Sequence, residues 1–192
     1  MKYYQLSIED VPLSEFLFRE AGESKTNLRF RKLYLDLVCT RCRKLDEIAA
    51  LRRGIDLDVS FKFARDIMMS SDDQVIVSAR FRDMVQSVAP DEIEFYEIPS
   101  NCALSVAIPK ILISPAEKDD AFNITGKCGL CGRYTEATWG AGIPKIPADC
   151  NIVAYRLETH VGMLARWEVN ERVAHVLKHS RPKLKGLILR AR

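Results

Sequence analysis

Two Cys-x-x-Cys pairs, far apart in the chain, constrain the fold more than any other feature of this sequence. They are Cys39-Thr-Arg-Cys42 and Cys128-Gly-Leu-Cys131. Two intervening residues let a tight turn direct both sulfurs at one ion, and two such turns supply the four thiolates of a closed tetrahedral zinc site. We therefore predict one Zn²⁺ ion with four ligands, Cys39, Cys42, Cys128 and Cys131.

The distance between the two pairs along the chain sets the role of this ion. Eighty-five residues lie between Cys42 and Cys128, far more than the 15–20 residues of a compact zinc motif. The cost of closing a loop grows only logarithmically with its length, so the separation is no thermodynamic obstacle. Gly129 and Gly132 suit the crowded backbone of a cysteine turn. The zinc would therefore tie together two distant segments of the chain.

Three other uses of the cysteines compete with this prediction. A disulfide framework would suit six cysteines, but we expect no secretory signal, and the chain is large enough for its own core. A thiol redox enzyme usually carries one such pair, after a strand and at the start of a helix. Simple burial does not explain why the same spacing occurs twice. For Cys102 and Cys150, which fit no pair, we predict small buried apolar side chains.

Length and composition indicate an ordinary globular domain. The chain has 192 residues, of which 47% are hydrophobic and 29% charged, with a net charge of +3. This composition argues against disorder, and the length fits a single domain over 1–192. No apolar run approaches the roughly 18 residues of a membrane span, and the first ten residues lack a basic start and an apolar stretch. We expect a cytoplasmic protein without membrane contacts.

Hydrophobic patterning predicts the following elements in the first part of the chain. Apolar and polar residues alternate in several short runs, which is typical of half-buried strands. The predictions are a strand at 2–8, a polar loop at 21–24, a strand at Leu33–Val38 that leads to Cys39, a short helix at 44–52 ended by Gly54, and a strand at 55–63.

Two later segments resemble each other at a constant offset of 92 residues. Each has a short strand, an N-capping residue, an apolar helical face, a proline and a returning strand. Ser78 matches Asn170, Phe81 matches Val173, Pro90 matches Pro182 and Phe95 matches Leu187. This predicts an internal pseudo-repeat of 1–100, with the first cysteine pair and a helix at 78–88, and 101–192, with the second pair and a helix at 170–180.

These elements together predict an α+β fold. Each half would consist of antiparallel strands and one capped helix, and would present one two-cysteine turn. Neither half could complete a tetrahedral site alone, so a zinc-ribbon-like site with four cysteines would join them. Its binding free energy would then contribute to folding.

The sequence shows no catalytic motif that would indicate an enzyme. The sequence contains no P-loop, GxGxxG, GxSxG or HExxH motif. His175 and His179 lie four residues apart without a carboxylate that completes a metal site, which is typical of a solvated helix end. The acids at 91–97 have no partner base or nucleophile, and we interpret them as solvated turns and an exposed strand face.

A basic C-terminal segment leaves nucleic-acid binding open. From Arg172 to Arg192 the chain has seven lysines or arginines and no acid. These residues could contact phosphates, but Lys178 and Arg181 also suit a helix end, while Lys183 and Lys185 suit an exposed edge strand. Aromatic residues are not interleaved with the basic ones, as base stacking would require.

Several segments resemble the double-CXXCG-motif proteins of bacteria. They are Cys128-Gly-Leu-Cys131-Gly132-Arg133, Ile146-Pro147-Ala148-Asp149, Val169-Asn170-Glu171-Arg172-Val173 and Lys185-Gly186-Leu187. Members of that family are associated with polymorphic toxin systems, where they look like immunity proteins. The first cysteine pair departs from the family pattern, because Arg43 follows it in place of glycine and Thr40-Arg41 replaces the common proline-containing interior.

The resemblance implies a non-enzymatic zinc protein that binds and neutralises a cognate toxin, with an acidic surface at 91–97 as a candidate contact. The alternative is a zinc-ribbon protein that binds nucleic acid through its basic C-terminal segment. A thiol redox enzyme is a third hypothesis, which requires a metal-free cysteine pair of low pKa.

Overall fold

A computed structural model describes most of the chain. It covers residues 2–8, 16–20, 29–61, 65–113, 120–140, 142, 145–147, 149–155 and 167–192. The predicted polar loop at 21–24, the last residues of the predicted strand at 55–63, and Ala148 of the resemblance lie outside these residues.

The described residues form short strands, three α-helices and one 3₁₀-helix at Lys32–Leu37. The α-helices are α1 (Glu47–Arg53), α2 (Ala79–Val88) and α3 (Glu171–Lys178). The strands are β1 (Tyr3–Ile8), β2 (Arg19–Glu20), β3 (Arg29–Phe30), β4 (Ile67–Met69), β5 (Val75–Ser78), β6 (Ile93–Ile98), β7 (Asn101–Pro109), β8 (Leu112–Ile113), β9 (Phe122–Lys127), β10 (Tyr134–Trp139), β11 (Ile152–Tyr155), β12 (Trp167–Asn170) and β13 (Leu187–Ala191).

These strands form two larger sheets and two hairpin-like pairs. One sheet has the order β4-β5-β7-β6, and the other has the order β13-β1-β12-β11-β8. Pairing is antiparallel throughout, except between β11 and β8. The predicted α+β class with antiparallel strands is therefore confirmed.

Strand order and register are the same in four strands of each larger sheet. The order β4-β5-β7-β6 corresponds to β11-β12-β1-β13. In the first sheet the paired residues are Ile67↔Val77, Ile76↔Val106 and Ile93↔Pro109. In the second they are Ile152↔Val169, Glu168↔Gln5 and Leu187↔Ile8, which follow the same register as the first three. The strand β1, from the start of the chain, takes the place that β7 has in the first sheet.

Side-chain alternation along the strands builds two cores. Val75 and Val77 of β5 face a core that includes residues of the second sheet, such as Trp167 and Val169, together with α2 and α3. Ile76, between them in sequence, faces the opposite core, beneath α1 and the 3₁₀-helix. The four-stranded sheet is therefore buried on both faces, and the segment that leads to the first cysteine pair lies against one of them.

Both predicted helix starts are confirmed. The Ser78 hydroxyl accepts a hydrogen bond from the Phe81 N–H at 3.1 Å, and the Asn170 side-chain oxygen accepts one from the Val173 N–H at 3.0 Å. Each satisfies an N–H group that has no partner within its own helix. The helix predicted at 44–52 is also present, as α1, with Asp46 as N-cap and Gly54 as C-cap.

The strand predicted at Leu33–Val38 is wrong, since this segment belongs to the 3₁₀-helix. The apolar alternation does not reflect burial: Leu33 and Leu35 are exposed, whereas Tyr34 is fully buried. The Tyr34 hydroxyl donates to the Gly54 carbonyl and accepts from the Asp56 N–H, both at 3.1 Å. These two bonds anchor the segment to the residues that follow α1.

The strand predicted at 55–63 is also wrong over its described part, Ile55 to Phe61. Ile55, Val59 and Phe61 are buried as the alternation suggests, but the backbone is irregular. The side chain of Asp56 accepts a hydrogen bond from the Asp58 N–H, and its carbonyl accepts one from Val59. Aspartate commonly forms such a turn with its own backbone, which replaces the strand.

No helix in the described part of the chain is long and apolar enough to cross a membrane. The single-domain assignment over 1–192 and the boundaries of its two halves stay predictions.

Candidate metal centre

Two short turns, here called the first knuckle (residues 39–44) and the second knuckle (residues 128–133), carry the paired cysteines. The first lies between the 3₁₀-helix and α1, where Val38 and Leu45 form an isolated antiparallel bridge. The second connects β9 to β10, whose last and first residues, Lys127 and Tyr134, are paired.

Equivalent backbone hydrogen bonds close both knuckles. In the first, the Cys39 N–H donates to the Lys44 carbonyl at 2.9 Å and the Arg43 N–H donates to the Cys39 carbonyl at 2.8 Å. In the second, Cys128 donates to Arg133 and Gly132 donates to Cys128, both at 2.8 Å. The same turn therefore occurs twice, with the residues 89 positions apart.

The four sulfurs form one compact cluster. Cys39 Sγ lies 3.8 Å from Cys128 Sγ, and Cys42 Sγ lies 3.5 Å from Cys131 Sγ. All four lie within 4.8 Å of one another, close enough to hold a metal ion. Sulfurs at about 2.3 Å from a central zinc in a tetrahedron would lie about 3.8 Å apart. The structure thus brings together all four residues that the spacing singled out.

A disulfide requires sulfurs about 2.05 Å apart, so the sulfur distances exclude disulfide bonds within the cluster. All six cysteines are free. The two cysteines outside the cluster differ from each other. Cys150 is buried, as predicted, but Cys102 is exposed on β7, so the prediction of burial is wrong for Cys102.

Long polar side chains reach from each knuckle to the other. The Arg133 guanidinium donates to the Lys44 carbonyl at 3.0 Å and also to the Leu45 carbonyl. The Lys44 ammonium donates to the Tyr134 carbonyl at 2.9 Å in the opposite direction. Lys44 and Arg133 each follow the second cysteine of their knuckle by two positions. These reciprocal bonds hold the two knuckles together alongside the sulfurs.

The surroundings of three of these thiols shift their pKa values in different directions. Burial opposes ionisation of Cys131, but hydrogen bonds from the backbone N–H and guanidinium of Arg133, together with those from the Cys42 and Cys128 thiols, outweigh it and lower its pKa to about 6; the Arg133 Nε lies 3.4 Å from this sulfur. The amides of Cys131 and Leu130 lower the pKa of Cys128. Burial raises the pKa of Cys42 to about 11, despite a hydrogen bond from the backbone of Lys44. A divalent metal would offset the repulsion between the four thiolates.

Other basic residues near the knuckles differ in what they contact. A Cβ added at Gly129 would lie 3.0 Å from Arg41 Nη1, so this glycine gives Arg41 room to cross the second knuckle. Arg43 and Lys127 are exposed. A centre with four thiolates and a divalent metal would carry a net charge of −2, which favours cations nearby.

We predicted that the acids at 91–97 are solvated, but this is wrong for some of them. Glu92 accepts hydrogen bonds from the backbone N–H groups of Asn151 and Ile152, at 3.1 and 2.9 Å, and from the Asn151 side chain. Glu94 accepts from the Tyr96 hydroxyl. The Glu92 carboxylate therefore links the end of α2 to the start of β11, and it is committed to a structural contact.

The basic C-terminal residues lie at the surface. Lys183 and Lys185 are exposed in the loop between α3 and β13, just before the edge strand on which the sequence placed them. The backbone N–H of Lys185 donates to Asp66 Oδ2 at 2.8 Å, which pins this loop to the chain beside β4.

Sequence reasoning did not find the linking roles of Lys44, Arg133, Glu92 and Asp66. A signal was available for the first two, because each is the second residue after its cysteine pair. No sequence signal pairs Glu92 with Asn151, or Asp66 with Lys185, since these contacts join residues 59 and 119 positions apart.

No protein-family model, curated protein or solved structure matches this chain. The likeness to the double-CXXCG-motif proteins accordingly rests on the quoted motifs alone. The geometry of the cysteine cluster carries the functional argument that follows.

Proposed function

We propose that Cys39, Cys42, Cys128 and Cys131 hold one structural zinc ion. The observation that carries this proposal is the single cluster of four sulfurs drawn from two distant knuckles. Thiolates favour zinc and iron over magnesium or calcium, which prefer oxygen ligands. Two knuckles with four cysteine ligands are typical of structural zinc sites.

Four protein ligands leave no open position on a tetrahedral ion. Catalytic zinc sites usually have three protein ligands and a water molecule, which the metal activates. The proposed ion would instead act by joining the first knuckle to the hairpin of β9 and β10. We therefore propose a non-enzymatic role for the centre.

Metal analysis of the purified protein tests this proposal. We expect one zinc per chain in the unaltered protein and at most a small fraction in Cys42→Ser and Cys128→Ser. Cys102→Ser is the matched control, because Cys102 is an exposed cysteine outside the cluster. Full zinc content in both ligand variants, or no transition metal in the unaltered protein, would contradict the proposal.

We also infer that the chain consists of two related halves joined by this ion. The knuckles share their closing hydrogen bonds, and the two larger sheets share the order and register of four strands. The registers equate Ile93 with Leu187, so the offset of 92 at the helices becomes 94 in the strands that follow. In this correspondence β1, which belongs to 1–100, matches β7, which belongs to 101–192. Each half would therefore contribute one strand to the sheet of the other half.

For the biological role we propose binding to a protein toxin, as in immunity proteins of bacterial toxin systems. The support is the sequence resemblance, together with a metal centre that has no free coordination position. A protein held rigid by a closed metal site can present a fixed surface to a partner at little conformational cost.

Coexpression with the product of a neighbouring toxin gene tests this role. Rescue of growth and a complex that survives purification are the expected results. Absence of both would contradict the role while leaving the zinc proposal intact. Salt-sensitive retention of DNA or RNA, lost when Lys183 and Lys185 are neutralised, would favour the nucleic-acid alternative.

A further inference from the structure

A cleft of about 340 Å³ lies between α3 and the face of strands β1 and β13. Its floor is apolar: Leu187 and Leu189 point to the same face as Tyr4, and Leu177 of α3 lies opposite. Ala174 also lines it, and its small side chain leaves space beneath the helix. A volume of this size lies at the lower end of the range for small-molecule sites in proteins, about 300–1,000 Å³.

The wall of the cleft that contains Leu184 is pinned in place. The Leu184 N–H donates to the Ser180 hydroxyl at 3.2 Å, and the Lys185 N–H donates to Asp66. Arg80 donates to the Pro182 carbonyl from α2. A Cβ at Gly186 would lie 2.3 Å from the Ile67 carbonyl oxygen, so the loop lies directly against β4. The cleft is therefore preformed, and a ligand would not need to order this loop.

Two exposed lysines line the cleft, and a third lies near its Tyr4 ring. Lys178 and Lys183 line it, and the Lys2 ammonium lies 5.5 Å from the centre of the Tyr4 ring. Glu171 is the one acid among the lining residues of this cleft. The rim thus has an excess of positive charge above an apolar floor.

Two histidines complete the rim at the end of α3. The rings of His175 and His179 stack with centroids 4.2 Å apart. The His179 backbone N–H lies 3.0 Å from the His175 carbonyl, and His179 Nδ1 lies 2.8 Å from the same oxygen. One of the exposed carbonyls at this helix end is therefore already bonded, which reduces its repulsion of an anion.

We propose that this cleft binds a small amphipathic organic anion, with an apolar body against Leu187 and Leu189 and its charged group at Lys178 and Lys183. The apolar floor supplies affinity through the hydrophobic effect, and the lysines select a negative charge. This site is independent of the metal centre, and its test does not depend on zinc.

A pair of fluorescent probes tests the proposal on the full chain. The anion is 8-anilino-1-naphthalenesulfonate, and its neutral analogue is N-phenyl-1-naphthylamine, which has the same apolar body without the sulfonate. We expect saturable binding of one sulfonate probe per chain, several-fold weaker binding of the neutral analogue, and loss of this preference at high salt.

Charge variants test the contribution of the lysines separately from that of the apolar floor. The double variant with Lys178→Met and Lys183→Met should lower the affinity for the sulfonate probe about tenfold, or about threefold for each exposed lysine. Its affinity for the neutral probe should change by no more than about twofold. Lys110→Met is the matched control, because Lys110 is an exposed lysine that does not line the cleft, and it should change neither probe.

Bulky substitutions test the location. Leu184→Trp should abolish binding of both probes by filling the cleft from its wall, and His175→Trp should do so from the exposed mouth with less risk to folding. Val88→Trp, at a half-buried position that does not line the cleft, should leave both probes bound. Circular dichroism confirms that each variant is folded. Undiminished binding in folded His175→Trp, absence of saturable binding, or equal affinity for both probes would overturn the proposal.

Discussion

Arg43 and Gly132 occupy the same position in the two knuckles, directly after the second cysteine. Both have a left-handed backbone, with φ of 60° for Arg43 and 72° for Gly132. Glycine adopts this conformation at little cost, whereas a residue with a Cβ is strained there. The departure of Arg43 from the glycine of the double-CXXCG pattern therefore changes the sequence without changing the turn.

This strain predicts that Arg43→Gly stabilises the protein by about 0.5–1 kcal/mol, and that Gly132→Ala destabilises it by about 1 kcal/mol. A Cβ at Gly132 would meet nothing within 4 Å, so the expected cost is one of backbone conformation alone. Urea unfolding of the zinc-loaded protein measures both changes.

Arg43→Ala is the control for loss of the arginine side chain, since it retains a Cβ in the left-handed region. It should lack the gain of Arg43→Gly. If alanine and glycine at position 43 were equally stable, backbone strain would not explain the difference between the knuckles.

The hydrogen bonds from Arg133 to Cys131 predict an unusually reactive thiol in the metal-free protein. With a pKa of about 6, Cys131 is mostly thiolate at neutral pH, so its alkylation rate should fall to half its plateau near pH 6 as the pH is lowered. Arg133→Met removes the guanidinium hydrogen bond and should move this midpoint upward, toward the ordinary thiol value of about 8.5.

Mass spectrometry of the Cys131 peptide after brief alkylation measures this midpoint, and Arg172→Met on α3 is the control. An unchanged midpoint in Arg133→Met would show that its guanidinium does not set the acidity of Cys131. Zinc loading should protect this thiol from alkylation in both proteins.

Besides the apolar cores, single polar side chains join elements from different parts of the chain, and Glu92 is one of them. Its carboxylate accepts two backbone N–H groups at the start of β11. Glu92→Gln replaces an ionised acceptor with an amide whose NH₂ cannot accept, so we expect a loss of about 1.5–3 kcal/mol in unfolding free energy.

Glu97→Gln provides the comparison for Glu92→Gln. The Glu97 side chain is 69% exposed and Arg82 Nη1 lies 4.0 Å from its carboxylate, so the change should stay within about 0.5 kcal/mol. Thermal and urea unfolding of the two variants should rank them clearly. Equal losses of unfolding free energy in the two variants would show that the Glu92 contacts do not stabilise the protein.

Elements with a local signature could be predicted from the sequence. Ser78 and Asn170 begin α2 and α3 because their side chains bond backbone groups three residues on, which requires no distant partner. The strand prediction at Leu33–Val38 was wrong because the burial of Tyr34 depends on its hydrogen bonds with Gly54 and Asp56. With Tyr34 buried, the leucines on either side of it are exposed. Pairing of β1 with β12 and β13 likewise depends on residues more than 160 positions away.

The four cysteines of the cluster could be predicted from spacing alone, whereas the way in which the molecule brings them together could not. Four cysteines in two pairs define a tetrahedral donor set whatever the fold. The bonds of Lys44 and Arg133 across the knuckles depend on a particular approach of two segments, which two isolated turns leave undetermined.

At the scale of the whole molecule, we expect zinc removal to loosen one region more than the rest. An isolated two-stranded hairpin is marginally stable, and the β9–β10 hairpin has no other strand in its sheet among the described residues. After chelation, amide hydrogen exchange should rise strongly at 122–139 and 38–45 and much less in β5 and β7, which are buried in the central sheet. A uniform rise across the chain, or none, would contradict this role of the ion.

The central claim is that one ion binds sulfurs from both knuckles. X-ray absorption at the zinc edge of the purified protein tests it most directly, because it counts the sulfurs around the metal and measures their distance. We expect one zinc per chain surrounded by four sulfurs at about 2.3 Å, and a zinc content reduced to a small fraction in Cys39→Ser and Cys131→Ser alike. A zinc with only two sulfurs, or one unaffected by substitution in one of the knuckles, would contradict it.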